Sequence, residues 1–584
     1  MDSKQHKRIL GYARYQLAVT SKMEYHRMLK NGERKTRILS VNFNDEGDVG
    51  DHMERKCREW LHQVLKRVKC TSLLDLRNAL IRLSNLSKFR ALQFAKLQPH
   101  MKKIVLPYST EFTLKFVKMY DLLLRYSKHV KAFHWIRSQN QMWSWNFRRS
   151  EGKQFPYEKF INLTKKNRLT SLEFSPENSG SWQDNAITSF PRTFKNLKSL
   201  TLNITPYIYN VAQGNFTISL SKLDNLKKLT LVLSAPSNVW GEILNSIPAF
   251  SKIEYLHLKS ANTQRDQELF TSAEWLDNLP NLQALKIDGE LLAQKSSNLL
   301  KRLQNVPLKR FYLNALSFNK NVSLDPLQIS ECFDHLTELE SLTLKIRADF
   351  SVQPGLQFIE ALPNQISKMS KLKKLTLVLH QIFPPDGRKK KPPFINLKMS
   401  GILSSLKSIQ RVTLYSNHLE TQFFSNIFEE CCSLGPQLLK LKLATGKFGP
   451  SKAYAAQMGQ HLAKLEKLKV LKLPDLSIVS NVFFQHLVDT LTTLKSLRKI
   501  QFGELEKPVT NIAFFPAFEK LLQGLFLEEC KIKIDTQAKF KSKESKEQFE
   551  DIVRNASKAN YNRKNFVSVA RYYYYSRFPN EWTL

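Results

Sequence analysis

Short runs in which apolar residues occupy alternate positions recur along most of this chain. The sharpest is Leu226-Lys-Lys-Leu-Thr-Leu-Val-Leu233, which returns letter for letter as Leu372-Lys-Lys-Leu-Thr-Leu-Val-Leu379. Alternation at period two turns Leu229, Leu231 and Leu233 to one face of a strand and leaves the intervening residues on the other. Weaker versions start at Leu169, Leu197, Ile253, Leu282, Leu308, Leu339, Ile409, Leu438, Leu468, Leu497 and Leu522, making thirteen with the two above. Most neighbouring copies lie close to a period of roughly 29 residues, the mark of a stack of repeated units. Two earlier runs, Met101-Lys-Lys-Ile-Val-Leu106 and Val130-Lys-Ala-Phe-His-Trp135, share the spacing.

Between the strand phrases, Asn238–Ile247, Ser297–Leu303, Lys452–Leu465 and Phe483–Leu494 alternate apolar and polar residues at helical spacing. One strand and one helix cannot bury both apolar faces alone, but stacked neighbours build one continuous core. Further helices are predicted over Met53–Val68 and Leu73–Leu86, both with basic outer faces. The expected organisation is a basic, mainly helical region over 1–100 and a repeat array over 101–534, securest over 169–530. A basic, aromatic cap or tail follows over 535–584. The array is expected to stop after Ile534, with a helix over Lys546–Ser557 and Phe566–Phe578 packed as a cover on the last repeat.

The thirteen Leu-x-x-Leu-x-Leu phrases near one period resemble the leucine-rich-repeat family, in its ribonuclease-inhibitor-like class of one strand and one helix per repeat. That resemblance implies an α/β solenoid, a curved horseshoe with parallel strands on the concave face and helices on the convex face, here with the helical N-terminal region that the periodicity predicts. It also implies a non-enzymatic scaffold that binds a partner through the concave face. The chain departs from the family pattern in its turns. The Asn or Cys expected three places after the last strand leucine is matched only by Asn417 and Cys530, so the turns are expected to be irregular. A proline-rich insertion, His380–Pro393, lengthens one repeat.

Charge adds the direction of binding. Lys and Arg number 90 against 51 Asp and Glu, a net charge of +39 over 584 residues, with about half of the excess in the first quarter of the chain. Such a surplus favours acidic partners. The six cysteines are sparse and irregular, which argues against a disulfide framework. No uncharged run reaches the roughly 18–20 residues of a spanning helix, so no transmembrane segment is expected. Together with an N-terminus lacking an apolar signal core, this points to an intracellular location, cytoplasmic or nuclear. Arg388-Lys-Lys-Lys391 resembles a short import signal. His52, Cys57, His62 and Cys70 do not have the spacing of zinc modules, and no phosphate loop or hydrolase motif is present. The sequence thus predicts no catalytic residues, no metal ligands and no cofactor.

If the leucines face the core, the residues between them face the partner. Early in the array these include Thr201, Lys228, Thr230, Tyr255 and His257. Later they form a basic strip of Lys286, Arg310, Tyr312, Lys345, Lys374, Arg411, Tyr415, Lys440, Lys442, Lys472 and Lys499, with Glu173 and Asp288 as the chief acidic residues. The expected occupant is an acidic protein surface. The alternative is RNA or DNA, with Lys and Arg on phosphates and Tyr stacked on bases. A third expectation is a substrate-recognition adaptor of a ubiquitin-ligase type complex, for which the helices over 52–88 show no convincing docking module.

Overall fold

The computed structural model describes residues 39–40, 73–75, 103–108, 132–137, 169–174, 196–204, 223–233, 252–260, 273–318, 331, 333–348, 353–381, 401–416, 421–444, 452–474, 479–504, 511–524, 529–535, 544–549, 551–552, 555, 567–572 and 580–583. The chain divides into two compact units, Met1–Asn262 and Thr263–Leu584.

Among the described residues of the first unit, eight strands pair in sequence order, each parallel to the next. They are β1 (Leu39–Ser40), β2 (Leu73–Asp75), β3 (Lys103–Tyr108), β4 (Ala132–Arg137), β5 (Ser171–Phe174), β6 (Ser199–Ile204), β7 (Lys228–Leu233) and β8 (Tyr255–Ser260). Register places Leu172, Leu200, Leu229 and Leu256 side by side, and all four are buried. Leu73–Asp75, where helical spacing predicts the start of a helix, is a strand instead. It pairs with β1 and β3, and a leucine pattern this short is satisfied equally by a three-residue strand. The expected helices over 53–68 and 238–247, the remainder of 73–86, the 52–70 histidines and cysteines and the 388–391 basic run lie outside the described residues.

Among the described residues of the second unit, ten strands form a parallel ladder. They are β9 (Ala284–Leu292), β10 (Arg310–Phe318), β11 (Ser341–Ala348), β12 (Lys374–Gln381), β13 (Arg411–Ser416), β14 (Lys440–Ala444), β15 (Val470–Lys472), β16 (Lys499–Glu504), β17 (Glu529–Asp535) and β18 (Val567–Tyr572). A last strand, β19 (Asn580–Thr583), runs antiparallel to β18. Helices α1 (Ala293–Arg302), α2 (Gln353–Ser367), α3 (Ile402–Ser405), α4 (Thr421–Ser433), α5 (Lys452–Ala463), α6 (Asn481–Thr493) and α7 (Phe515–Gly524) return the chain between strands. From α2 to α6 each helix packs against the next, and α7 packs against α6. An unclosed ladder of parallel strands alternating with a layer of helices is an α/β leucine-rich-repeat solenoid.

Two local devices set the repeat. The first is an apolar triplet at every third position before the strand, as in Phe333, Leu336 and Leu339, or Leu491, Leu494 and Leu497. All six are buried, and the second and third members each donate their N–H to the carbonyl of the member before, as Leu339 does to Leu336 at 3.2 Å. The second, seen at β5 to β7 and β9 to β15, is a carbonyl just before the strand that accepts two N–H groups from the next repeat. Glu340 O takes Lys373 N at 2.9 Å and Lys374 N at 3.0 Å, and Gln410 O takes Leu439 N at 2.8 Å and Lys440 N at 3.1 Å. This shared acceptor fixes the chain direction at the strand entrance, so adjacent residues there point to different surroundings.

The phrase expected to start at Leu522 is displaced. Leu522 is buried in α7, where Phe515, Phe518 and Leu521 supply helical spacing and Pro516 suits the first turn. The strand begins at Glu529, and Cys530 stands beside Ile500, in a strand leucine's position rather than a turn. Nor does the array stop at Ile534. A helical segment at 544–549 brings Phe549 to 5.9 Å from Phe515 and 5.5 Å from Phe518, ring centre to ring centre, and β18 then pairs with β17.

Candidate partner-binding face

Strand register lines up the predicted site residues in columns. The first column, at the strand entrance, runs Arg310, Ser341, Lys374, Arg411, Lys440, Val470 and Lys499 on β10 to β16. Two residues further along the strands, Lys286, Tyr312, Thr343, Thr376, Thr413, Lys442, Lys472 and Gln501 form the second. Lys345 pairs in register with Val378, and Val378 with Tyr415. None of the eleven candidate residues is buried in the core: Arg310, Lys374, Arg411 and Lys499 are exposed, and the others are half-buried.

The face has two electrostatically different parts. At β9 to β11 the charges are answered locally. Lys286 Nζ lies 2.6 Å from Asp288 Oδ2 and 4.8 Å from the centre of the Tyr312 ring, and Lys345 Nζ lies 5.8 Å from the same centre. Burial, the Asp288 charge and a hydrogen bond donated to Asp288 push the Tyr312 phenol up to about 12. Lys286, Tyr312 and Lys345 thus belong to one closed cluster. In the first unit Lys228 likewise sits 4.6 Å over the Tyr255 ring. Thr230, expected to face outward, is only 7% exposed, a short side chain in register between Thr201 and His257.

At β12 to β15 cations face one another, Lys374 with Arg411, Arg411 with Lys440 and Lys442 with Lys472, whereas Lys499 stands in register with Val470 and Glu529. Lys374, Arg411 and Lys440 stand on three consecutive strands, with neighbours about 4.8 Å apart in the ladder direction. The Lys440 ammonium is held below its ordinary pKa, first by burial and then by Lys442, Arg411, Lys374 and Lys499. All four neighbours named are positive. Tyr415 lies beside this group with its ring 5.5 Å from that of His380. Burial and the charges of Arg347 and Lys345 lower the His380 pKa, favouring the neutral imidazole.

The adjoining rim at β11 and β12 follows the opposite rule. Between the repeats of β11 and β12, Asp334 meets Lys368 at 2.9 Å, Glu338 meets Lys371 at 2.5 Å and Glu340 meets Lys373 at 3.1 Å. Lys227 pairs with Glu254 and Arg302 with Asp277 in the same way. Sequence reading singled out the lysines between the leucines but missed this ladder of pairs. The signal was there in the alternation of Lys and Glu at equivalent positions of successive repeats, as at Lys309, Glu340 and Lys373.

Among the described residues no group of His, Cys, Asp or Glu could hold a metal ion, and no helix is long and apolar enough to cross a membrane. Cys431 and Cys432 are both fully buried in α4, where burial pushes each thiol pKa upward.

No family model matches the chain, and no curated protein matches it. Among solved structures, the Rad7 and Elc1 complex of yeast superposes over 84% of this chain and 92% of that one, at 12% identity and a TM-score of 0.34. The leucine-rich-repeat-containing protein LegL7 from Legionella pneumophila superposes over 72% of this chain and 97% of its own, at 13% identity and a TM-score of 0.26. At these scores the likeness adds nothing to what the strand register already shows of the fold.

Proposed function

We propose that the protein is a non-enzymatic binding scaffold that holds an acidic protein surface on the basic strand face of its second unit. The observation that carries this reading is the first column. Like charges directly opposite each other on neighbouring strands are destabilising. Solubility alone does not require that arrangement, because the rim at β10 to β12 is built with alternating sign through Lys309, Glu340 and Lys373. The three cations Lys374, Arg411 and Lys440, set opposite one another on consecutive strands, are accounted for by an anionic occupant, which removes the repulsion when it binds.

Nucleic acid is the rival occupant, and the aromatic residues argue against it. A sequence-tolerant strand binder presents open rings on which bases stack. Here Tyr312 is flanked by Lys286 and Lys345, and Tyr415 has His380 against it. Competition at low salt tests the choice: the full chain is offered fluorescent polyglutamate together with unlabelled single-stranded DNA. The scaffold reading expects polyglutamate to bind and to be displaced poorly by DNA. Tight DNA binding with no measurable polyglutamate binding would sink it.

A further inference from the structure

The arrangement of the cations says more than their sign. We infer that the column Lys374–Arg411–Lys440 receives an acidic amphipathic helix lying across the strands, with the carboxylates of one helical stripe set against successive repeats. The inference rests on the acidic-partner reading and narrows it to a shape.

Orientation follows from the register. Lys374, Arg411 and Lys440 occupy equivalent positions on β12, β13 and β14, so the line of charge runs from strand to strand. A ligand parallel to the strands would meet at most Lys440 and Lys442 of this group on a single strand. A ligand crossing the strands meets one cation per repeat. Lys442 widens the strip beside Lys440 in the second column.

The repeat distance then selects the ligand's conformation. The cations recur at the inter-strand spacing of about 4.8 Å. Residues on one stripe of an α-helix, at i, i+3 or i+4 and i+7, rise by about 4.5–6 Å per step. Carboxylates on such a stripe stay near their cations over several steps, within the reach of flexible Lys and Arg side chains. In an extended peptide the residues on one face recur every 6.4–6.8 Å or so, and fall about 2 Å further out of step at each strand. Val470 follows Lys440 in the column, so the stripe should carry one apolar residue after its third acid. The β9 to β11 half, already closed by Asp288, contributes little.

Three labelled probes test this against the full-length chain at low salt. One is a synthetic helix former with Glu at i, i+3 or i+4 and i+7. The second is a peptide of the same composition interrupted by proline, and the third a single-stranded DNA. Two variants remove equal charge: Lys374→Gln with Arg411→Gln and Lys440→Gln from the column, and Lys227→Gln with Lys371→Gln and Lys373→Gln from the rim. Circular-dichroism melting establishes that both fold. The expected result is helical-peptide binding at least about tenfold tighter than the proline peptide, lost in the column variant and kept in the rim variant. Equal binding of the two peptides overturns the helix and leaves the acidic-partner reading intact. Equal loss in both variants overturns the site. DNA binding without binding of either peptide overturns both.

Discussion

Lys373 and Lys374 are neighbours in the chain and meet opposite surroundings. Lys373 Nζ lies 3.1 Å from Glu340 Oε2 of the preceding repeat, whereas Lys374 stands in register with Arg411 of the following one. The carbonyl of Glu340 accepts both backbone N–H groups, at 2.9 and 3.0 Å, and so directs one side chain to the rim and the other to the strand face. The two environments separate stability from recognition, and each can be tested alone.

The first test contrasts Leu375 with Lys374. Leu375 is buried between Leu342 and Val412 on the neighbouring strands. Leu375→Ala should lower unfolding free energy by about 2–5 kcal/mol, because a cavity adds to the lost transfer energy. Lys374→Ala should stay within about 0.5 kcal/mol of the parent. Denaturant titration of both variants checks the pair; comparable losses would place Lys374 in the structural framework.

Much of this was legible in the chain itself. The leucines could be read because period-two alternation and repetition both point to a buried strand face, and strands begin where the phrases at Leu197, Leu226, Leu372 and Leu438 predict. Leu522 misled because it also falls at helical spacing with Phe515 and Phe518, and in α7 it shares a helix with Phe518, which packs on Phe484 and Phe549. The alternation puts Lys374 rather than Lys373 on the strand face, but it does not show that Lys373 meets Glu340, which lies a whole repeat away.

A glycine also escaped notice. Gly459 lies in the middle of α5, where a Cβ would stand 2.7 Å from Thr490 Oγ1 of α6. That hydroxyl donates to the His486 carbonyl at 3.0 Å, which holds it in the path. Gly459→Ala should therefore cost roughly 1–3 kcal/mol despite the better helix propensity of alanine. Thr490→Ala in the same chain should recover most of the loss, a coupling that a double-mutant thermal melt will show.

Tyr312 gives a pH signature. Its phenol is pushed from 10.0 up to about 12 in the folded state, so its contribution to stability is fully present below pH 10.0 and is lost as pH rises towards 12. Subtracting the absorbance titration of Tyr312→Phe from that of the parent should isolate one phenol ionising near 12. The variant should also lose stability less steeply across that window. A difference curve centred near 10.0 would remove Asp288 and burial as the controlling surroundings.

The central claim is that the column Lys374–Arg411–Lys440 costs stability and supplies binding. The most direct measurement takes the triple variant Lys374→Gln, Arg411→Gln, Lys440→Gln and records its melting temperature and its polyglutamate affinity in the same low-salt buffer. Relief of like-charge contacts, each costing about 0.2–1 kcal/mol, predicts an unchanged or raised melting temperature together with an affinity at least about tenfold weaker. Unchanged affinity, or a melting temperature that falls along with it, would contradict the account.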